Sequence, residues 1–228
     1  SRTAQAPQPP YGCCQAMALR FWSAPLALLF AVVGPLRAGA EEPFWIRVDV
    51  DKLEGKKGSS GSFVVEVRPD WAPLGASRVR EIVEEKVWET ARFFRVVPGF
   101  VAQWGIPGKP SVSSAWREKK IKDDPVKPDV KNLEGYVTFA KSGEDTRTTQ
   151  VFINFKDNTN LDGLGFPPFG KVVKGMDVVN KINSRHGEAP DQSEIQFNGN
   201  VYLKKSWPDL TFIKKVSFVE KPSGSGEL

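Results

Sequence analysis

Alternating apolar and polar positions run through most of the chain after residue 43 and predict a protein built mainly from β-strands. Residues 44–50 and 62–68 alternate in this way and are joined by a turn rich in glycine, serine and lysine, which predicts a hairpin. Further strand-like runs occupy residues 93–97, 100–104, 136–140, 150–155, 169–173 and 210–219. Because the last run is expected to pair with the first, the pattern indicates a closed or nearly closed barrel.

Two segments have helical rather than alternating spacing. In residues 76–89, Val79, Ile82 and Val83 lie on one face and charged residues lie mostly on the opposite face. Residues 175–182 predict a second helix. The two helices are therefore expected to plug the ends of the barrel.

Residues 106–135 contain four prolines and little periodicity, which predicts a long ordered loop or an exposed insert. The basic run at residues 117–122 is followed by Asp123, Asp124 and Asp129, which balance its charge. We therefore predict a solvated surface here rather than a phosphate-binding patch, and no nucleic-acid partner.

The first 40 residues have the pattern of a secretory leader. Met17 opens a short basic segment, an apolar run follows, and Ala38-Gly39-Ala40 suits signal cleavage. An uncleaved anchor or a buried core helix stays open as the alternative. The chain is thus divided into an upstream extension (1–16), a signal peptide (17–40), a folded domain (41–221) and a flexible tail (222–228).

Removal of the leader changes the composition of the protein. Cys13 and Cys14 leave with it, so neither disulfide nor thiol chemistry is expected in the oxidising compartment. Three of the 32 basic residues and none of the 27 acidic residues precede residue 41, which leaves a net charge of about +2. We expect a monomer that is not inserted in a membrane after cleavage.

The single histidine, His186, excludes a histidine-based triad or a multi-histidine metal site within one chain. Neither a metal nor another cofactor is therefore expected.

The run at residues 93–105 carries the candidate chemistry. Arg95, Phe100 and Gln103 lie close together in it, separated by Pro98-Gly99. A cation, an aromatic ring and an amide at this spacing indicate a polar group beside an apolar pocket.

The sequence in five ordered segments resembles the cyclophilin-type peptidyl-prolyl cis-trans isomerases. The segments are residues 93–103, 139–142, 149–153, 160–163 and 169–176, and the resemblance extends over residues 44–220. It implies a mainly β fold, a closed eight-stranded antiparallel barrel capped by two α-helices. It also implies rotamase activity on X-Pro bonds of proline-containing polypeptides.

The chemistry of amide rotation agrees with the residues present. The barrier of about 18–20 kcal/mol arises because the nitrogen lone pair is delocalised into the carbonyl. A fixed cation that donates a hydrogen bond to the prolyl nitrogen stabilises the twisted state, and Arg95 suits this role because guanidinium is always charged and only donates. The reaction requires no nucleophile, general base or metal.

The resemblance also implies the roles of the surrounding residues. Gln103 is expected to bind a substrate carbonyl and to orient Arg95. The implied proline pocket consists of Phe100, Val101, Phe152 and Leu161, and the backbone of Ala140 and Lys141 is expected to contact an extended peptide. From the residues alone, the interior of the barrel is the favoured location for Phe100 and Phe152, because aromatic residues of strands are usually buried, and the resemblance shifts the expectation to the pocket.

Several departures from the family pattern affect these expectations, and they include Val101 in place of a common methionine and Lys141 in place of a common asparagine. Asn160 stands where many members have a tryptophan that contacts cyclosporin, which argues against cyclosporin binding. Residues 163–168 include an extra residue at the rim of the pocket. Trp104 stands where a glycine is common, and is expected either to remodel the groove or to pack outward against residues 106–135.

These features predict a peptidyl-prolyl isomerase that assists protein folding in the secretory pathway, either in the lumen of the endoplasmic reticulum or after secretion. The alternative is a catalytically weak scaffold that binds proline peptides on the same barrel. Plastid import through a bipartite leader is disfavoured, because the segment after Ala40 is short and acidic.

Overall fold

The computed structural model describes residues 41–223, so the predicted extension, the signal peptide and residues 224–228 of the predicted tail lie outside the described residues. Eight strands were predicted, and the described residues 41–223 contain eight. Their bounds are β1 (Phe44–Asp51), β2 (Gly61–Val67), β3 (Arg95–Val97), β4 (Val101–Trp104), β5 (Tyr136–Phe139), β6 (Val151–Asn154), β7 (Pro168–Lys174) and β8 (Phe212–Val219).

The strands form one antiparallel sheet that curls into a half-barrel. Its order is β3-β4-β6-β5-β7-β2-β1-β8, so the predicted β1–β2 hairpin and the pairing of the first strand with the last are both present. The predicted closed barrel is not confirmed, because β3 and β8 are separate edges of the sheet. Residues 90–93, which precede β3, are joined to the start of β8 by an isolated bridge between Arg92 and Phe212 and by neighbouring backbone hydrogen bonds, but no strand pairing joins β3 itself to β8 within residues 41–223.

The helices differ more from the prediction than the strands do. They are α1 (Pro73–Glu84), α2 (Pro110–Arg117), α3 (Met176–Val179) and α4 (Gln192–Ser206), with 3-10 segments at Leu53–Gly55 and Thr159–Leu164. Helix α1 begins at Pro73, whose fixed φ suits the first helical position, and it ends five residues earlier than predicted. Within residues 41–223, no helix is both long and apolar enough to span a membrane.

The segment from residue 106 to 135, which was predicted to be a long ordered loop or an exposed insert, contains a helix that the sequence did not predict. It contains α2, and Asp124 is buried rather than solvated, with 4% of its surface exposed. The Asp124 carboxylate accepts hydrogen bonds from the backbone N–H groups of Leu74 and Gly75 at the start of α1 and forms an ion pair with buried Arg147. The prediction of a solvated acidic surface is therefore wrong for Asp124, which satisfies free N–H groups of a helix.

Alternation along β4 and β6 separates the two faces of the sheet. Ala102, Trp104 and Ile153 belong to the main core together with the apolar face of α1. Trp104 is 1% exposed, and its ring contacts those of Phe63, Trp88 and Phe93. Both expectations for Trp104 are therefore wrong, because its position in β4 directs the side chain into the core and away from the groove.

Candidate active site

Strand pairing places three of the predicted site residues in one row on the face of the sheet opposite the main core. Arg95 of β3 pairs with Gln103 of β4, and Gln103 pairs with Phe152 of β6. The short turn between β3 and β4 is made by Pro98-Gly99, and Gly99 has a φ of 68°. Because directly paired residues share a face of a sheet, this register brings a cation, an amide and an aromatic ring side by side.

The guanidinium of Arg95 is held by several neighbours. Nη1 donates to Oε1 of Gln103 (3.3 Å), and the ring centroid of Phe100 lies 5.5 Å from Cζ. Nε donates to a carboxylate oxygen of Glu188. Gln103 in turn donates from Nε2 to Oε1 of Gln150 (3.0 Å). The cation is therefore fixed by contacts on more than one side.

All eight predicted site residues line one cavity of about 230 Å³. They are Arg95, Phe100, Val101, Gln103, Ala140, Lys141, Phe152 and Leu161, and Phe166 is the ninth lining residue. Val101, Phe152 and Leu161 form a small apolar cluster of their own, against which Phe100 packs. Phe100 and Phe152 thus lie outside the main core, which decides between the two locations left open by the sequence.

Phe166 is a wall of the cavity that the sequence did not predict. Its ring lies edge-on to that of Phe152, with centroids 6.2 Å apart. The extra residue within 163–168 had left this part of the rim undefined. Phe166 is the single aromatic residue of this loop, which was the available signal, but the sequence does not say that its ring faces the cavity.

Lys141 contributes its side chain as well as its backbone. Nζ donates to Oδ2 of Asp123 (2.6 Å) and lies 5.4 Å from the ring centroid of Phe166. Burial raises the pKa of Asp123, but hydrogen bonds from Lys141 and from the backbone of Asp145, with the charges of Lys141 and Arg147, outweigh it and hold the pKa below its ordinary value. The ammonium group of Lys141 therefore lies at the rim of the cavity with its charge balanced by the carboxylate of Asp123.

A network of buried amides connects the floor of the cavity to its rim. Asn132 donates to Oδ1 of Asp162 (2.8 Å) and to the carbonyl of Phe166 (2.8 Å). Asn158 donates to Asn154 (2.8 Å) and to the carbonyl of Phe100 (3.0 Å). Since buried amides are costly unless paired, this network fixes the segment that carries Leu161 and Phe166.

A second, more polar cavity of about 460 Å³ continues from the first. The two share Gln103, Ala140 and Lys141, and the far wall of the second comes from α2 and α4, through Arg117 and Gln196. Together the two cavities form a groove with an apolar pocket at one end. Within residues 41–223, no three histidine, cysteine or carboxylate side chains are grouped to hold a metal ion.

Comparison with known proteins agrees with this geometry. A family model described as cyclophilin type peptidyl-prolyl cis-trans isomerase matches residues 52–202. The chain belongs to this family, and it is an enzyme of the peptidyl-prolyl isomerase class.

Several curated relatives carry the same name. Peptidyl-prolyl cis-trans isomerase A of Dickeya dadantii is 34% identical over 134 residues, which cover 55% of this chain and 67% of the relative. An isomerase of Acinetobacter baylyi is 33% identical over 135 residues, covering 55% and 69% of the two chains. One of Arabidopsis thaliana is 30% identical over 145 residues, covering 60% and 88%.

The fold resembles that of a solved cyclophilin type isomerase of Cryptosporidium parvum, with a TM-score of 0.55 and 18% identity, over 79% of this chain and all of the other. A second structure of that protein, determined in the presence of the dipeptide ala-pro, has a TM-score of 0.55 and 16% identity, over 78% of this chain and 99% of the other. These structures support the fold of the chain.

Proposed function

We propose that this chain accelerates rotation about X-Pro bonds with Arg95 as its central catalytic residue. The observation that carries the proposal is the row of Arg95, Gln103 and Phe152, which sets a fixed cation at the mouth of an apolar cavity of about 230 Å³. A pyrrolidine ring suits the apolar walls, and the amide nitrogen of the same proline then lies within reach of the cation.

In the proposed mechanism, the enzyme acts only on the barrier between two isomers of similar energy. Twisting the peptide bond localises the lone pair on the prolyl nitrogen, which becomes a better hydrogen-bond acceptor. Donation from Arg95 therefore stabilises the twisted state more than either planar isomer. Gln103 keeps the guanidinium in place, and the pocket holds the ring while the preceding carbonyl turns.

The groove supports an extended polypeptide as the substrate. Ala140 and Lys141 line both cavities, so their backbone groups are placed to contact a peptide that leaves the proline pocket. The presence of ala-pro in one structure of the Cryptosporidium parvum protein supports a proline-containing ligand for this chain as well.

The test is exchange spectroscopy by NMR on a short proline-containing peptide, with the purified protein as catalyst. Arg95→Ala is expected to lower the catalysed exchange rate about 100-fold, the loss typical of removing one preorganised donor. The free energy of unfolding is expected to change by less than about 1 kcal/mol, because the side chain is partly exposed.

Arg47→Ala is the matched control, since it removes a cation from an exposed ion pair on β1. Equal exchange rates for Arg95→Ala and Arg47→Ala would contradict the assignment of Arg95. Peptide shifts without faster exchange in the wild-type protein would instead establish the proline-binding scaffold.

We further propose that the enzyme assists folding in the secretory pathway, which is supported by the leader pattern in residues 17–40. Expression in a secreting eukaryotic cell, followed by mass spectrometry of the N-terminus, is expected to give a chain that begins at Glu41. A protein that keeps its leader and stays in the cytosol would overturn this proposal and leave the isomerase assignment intact.

A further inference from the structure

Glu188 lies outside the five segments that resemble the family, yet its side chain contacts the guanidinium of Arg95. Its carboxylate accepts a hydrogen bond from Nε of Arg95 and forms an ion pair with it. The side chain of Glu188 is 58% exposed and that of Arg95 is 28% exposed. Arg95 lines the apolar cavity, whereas Glu188 is not among the residues that line it.

The loop that carries Glu188 is fastened directly to β3. The N–H of Val96, the residue after Arg95, donates to the carbonyl of Gly187, the residue before Glu188 (2.9 Å). On the other side, His186 forms a hydrogen bond with Asp209 (2.6 Å). A backbone bond from the strand of Arg95 to the loop of Glu188 fixes the distance between the two side chains.

These contacts hold the guanidinium at two separate points. Nε is bound to Glu188, and Nη1 is bound to Gln103 on the neighbouring strand. No hydrogen bond joins Nη2 to another residue within 41–223. A long, flexible arginine side chain that is held at Nε and at Nη1 keeps one orientation, with Nη2 left for a ligand.

We propose that Glu188 is a positioning residue for Arg95: it orients the guanidinium toward the prolyl nitrogen without touching the substrate. The proposal rests on the proposed role of Arg95 in the isomerase reaction. It assigns a function to the loop between α3 and α4.

The opposite effect of the same contact is also physically reasonable, and the experiment distinguishes the two. A carboxylate beside the cation competes with the prolyl nitrogen for its hydrogens. If this competition dominated, removal of the charge would raise the rate. If positioning dominates, removal of the charge lowers kcat and leaves KM unchanged, because Glu188 does not contact the peptide.

The test compares the wild-type protein with Glu188→Gln. We expect kcat to fall about two- to five-fold, the range that corresponds to one exposed ion pair, with KM unchanged. The difference is expected to shrink as salt is raised toward 1 M, because screening removes the attraction. Glu84→Gln is the matched control, since Glu84 is an exposed glutamate on α1, outside the site. It is expected to behave as wild type.

A double mutant shows whether Glu188 acts through Arg95. Lysine has a single ammonium group and cannot bind Glu188 and Gln103 through separate nitrogens in the same way. Glu188→Gln is therefore expected to have no further effect on kcat in an Arg95→Lys background. In the wild-type protein, the Nε–H signal of Arg95 in nitrogen-15 NMR is expected to exchange slowly with water, and to exchange faster in Glu188→Gln.

The outcomes separate the two proposals. Failure of the wild-type protein to accelerate exchange overturns the proposed function itself. Acceleration by the wild type with an equal or higher kcat in Glu188→Gln leaves that function standing and overturns the positioning role. An equal loss in the wild-type and Arg95→Lys backgrounds also overturns it.

Discussion

Gln103 is the residue around which the polar half of the site is assembled. It lies between Arg95 and Phe152 in the sheet and is 7% exposed. A guanidinium only donates hydrogen bonds, so Oε1 of Gln103 must face Arg95 and Nε2 must face Gln150. The neighbours of Gln103 therefore set the orientation of its amide. Its oxygen holds the guanidinium of Arg95, and its N–H group donates to Gln150 instead of to the prolyl nitrogen of the substrate.

Asn160 gives a prediction about inhibitor binding at the residue scale. It is exposed in the 3-10 segment Thr159–Leu164, next to the pocket residue Leu161. By the family resemblance, a tryptophan at this position contacts cyclosporin. We expect weak cyclosporin binding by the wild-type protein and binding about ten-fold tighter in Asn160→Trp, because the indole adds a large apolar contact. Isothermal titration calorimetry measures both affinities.

Thr159→Trp serves as the control for this substitution, because it adds the same side chain at the neighbouring exposed position. Tight cyclosporin binding by the wild-type protein, or an equal gain in both variants, would show that position 160 does not determine the affinity.

Individual residues differed in how far the sequence could predict them. The eight predicted site residues are carried by contiguous motifs, and the structure brings them to one cavity. Glu188 and Phe166 were missed because each reaches the site from a loop whose path depends on tertiary contacts. For Lys141 the backbone was predicted to contact the peptide, but its pairing with Asp123 depends on a residue 18 positions away.

At the scale of elements, strands were predictable because the alternation of apolar and polar residues, with its period of two, can be recognised even in short segments. Helix α4 was missed because it has no continuous helical period. Gly199 interrupts it with a φ of 55° and ψ of −139°, and the exposed Phe197 and Val201 obscure its buried face. A Cβ at Gly199 would lie 2.3 Å from the carbonyl oxygen of Gly108, so this break accommodates the close approach of the chain leading into α2.

The segment Thr159–Leu164 depends on the buried amide network more than on its own hydrogen bonds. Asn132 is fully buried and links this segment to β5, through Thr138, and to Phe166. Asp162 accepts two hydrogen bonds from Asn132, one from its backbone and one from its side chain. The apolar wall of the cavity is therefore held in place by polar contacts behind it.

Removal of the Asn132 side chain is expected to loosen this wall. Asn132→Ala leaves several buried polar partners unpaired, so we expect the free energy of unfolding to fall by about 1–3 kcal/mol. Peptide affinity is expected to weaken as well, because Leu161 and Phe166 lose their support. Urea unfolding and titration of a proline peptide measure the two effects.

Asn198→Ala is the control, since Asn198 is exposed on α4 and its side chain bonds only to Glu194 within residues 41–223. A peptide affinity for Asn132→Ala equal to that of the control would show that the network stabilises the fold without shaping the pocket.

At the scale of the whole molecule, a charged cluster joins distant parts of the chain. Arg147 is 1% exposed and contacts both Asp123 and Asp124, which tie the segment after α2 to α1 and to the rim of the groove. Burial of such charges is tolerated only when each is paired. The cluster therefore makes the fold sensitive to the protonation of Asp123.

This sensitivity predicts a loss of stability in acid. The pKa of Asp123 and that of Asp209 are both lowered in the folded protein: burial raises each, and hydrogen bonds from Lys141 and His186, respectively, outweigh it. A carboxyl whose pKa is lower in the folded state stabilises the fold above its unfolded pKa, near 3.8, and loses that contribution as pH falls through the folded value. We expect Asp123→Asn to reduce stability at neutral pH and to flatten the decline below about pH 4.

Thermal unfolding measured between pH 7 and pH 2 checks this expectation. Asp129→Asn, at an exposed position of the same segment, is the control and should retain the wild-type slope. A wild-type slope in Asp123→Asn would show that this carboxyl does not contribute to the acid sensitivity.

The pairing of β1 with β8 has a consequence for the order in which the protein is synthesised and folded. Trp45 lies opposite Val219, so strands from the two ends of the described chain are neighbours in the finished sheet. During synthesis, β1 leaves the ribosome long before its outer partner exists, and its edge stays unpaired until the last strand has been made. The isomerase therefore completes its own sheet only once β8 has been made, when the strands β1 and β8 can meet.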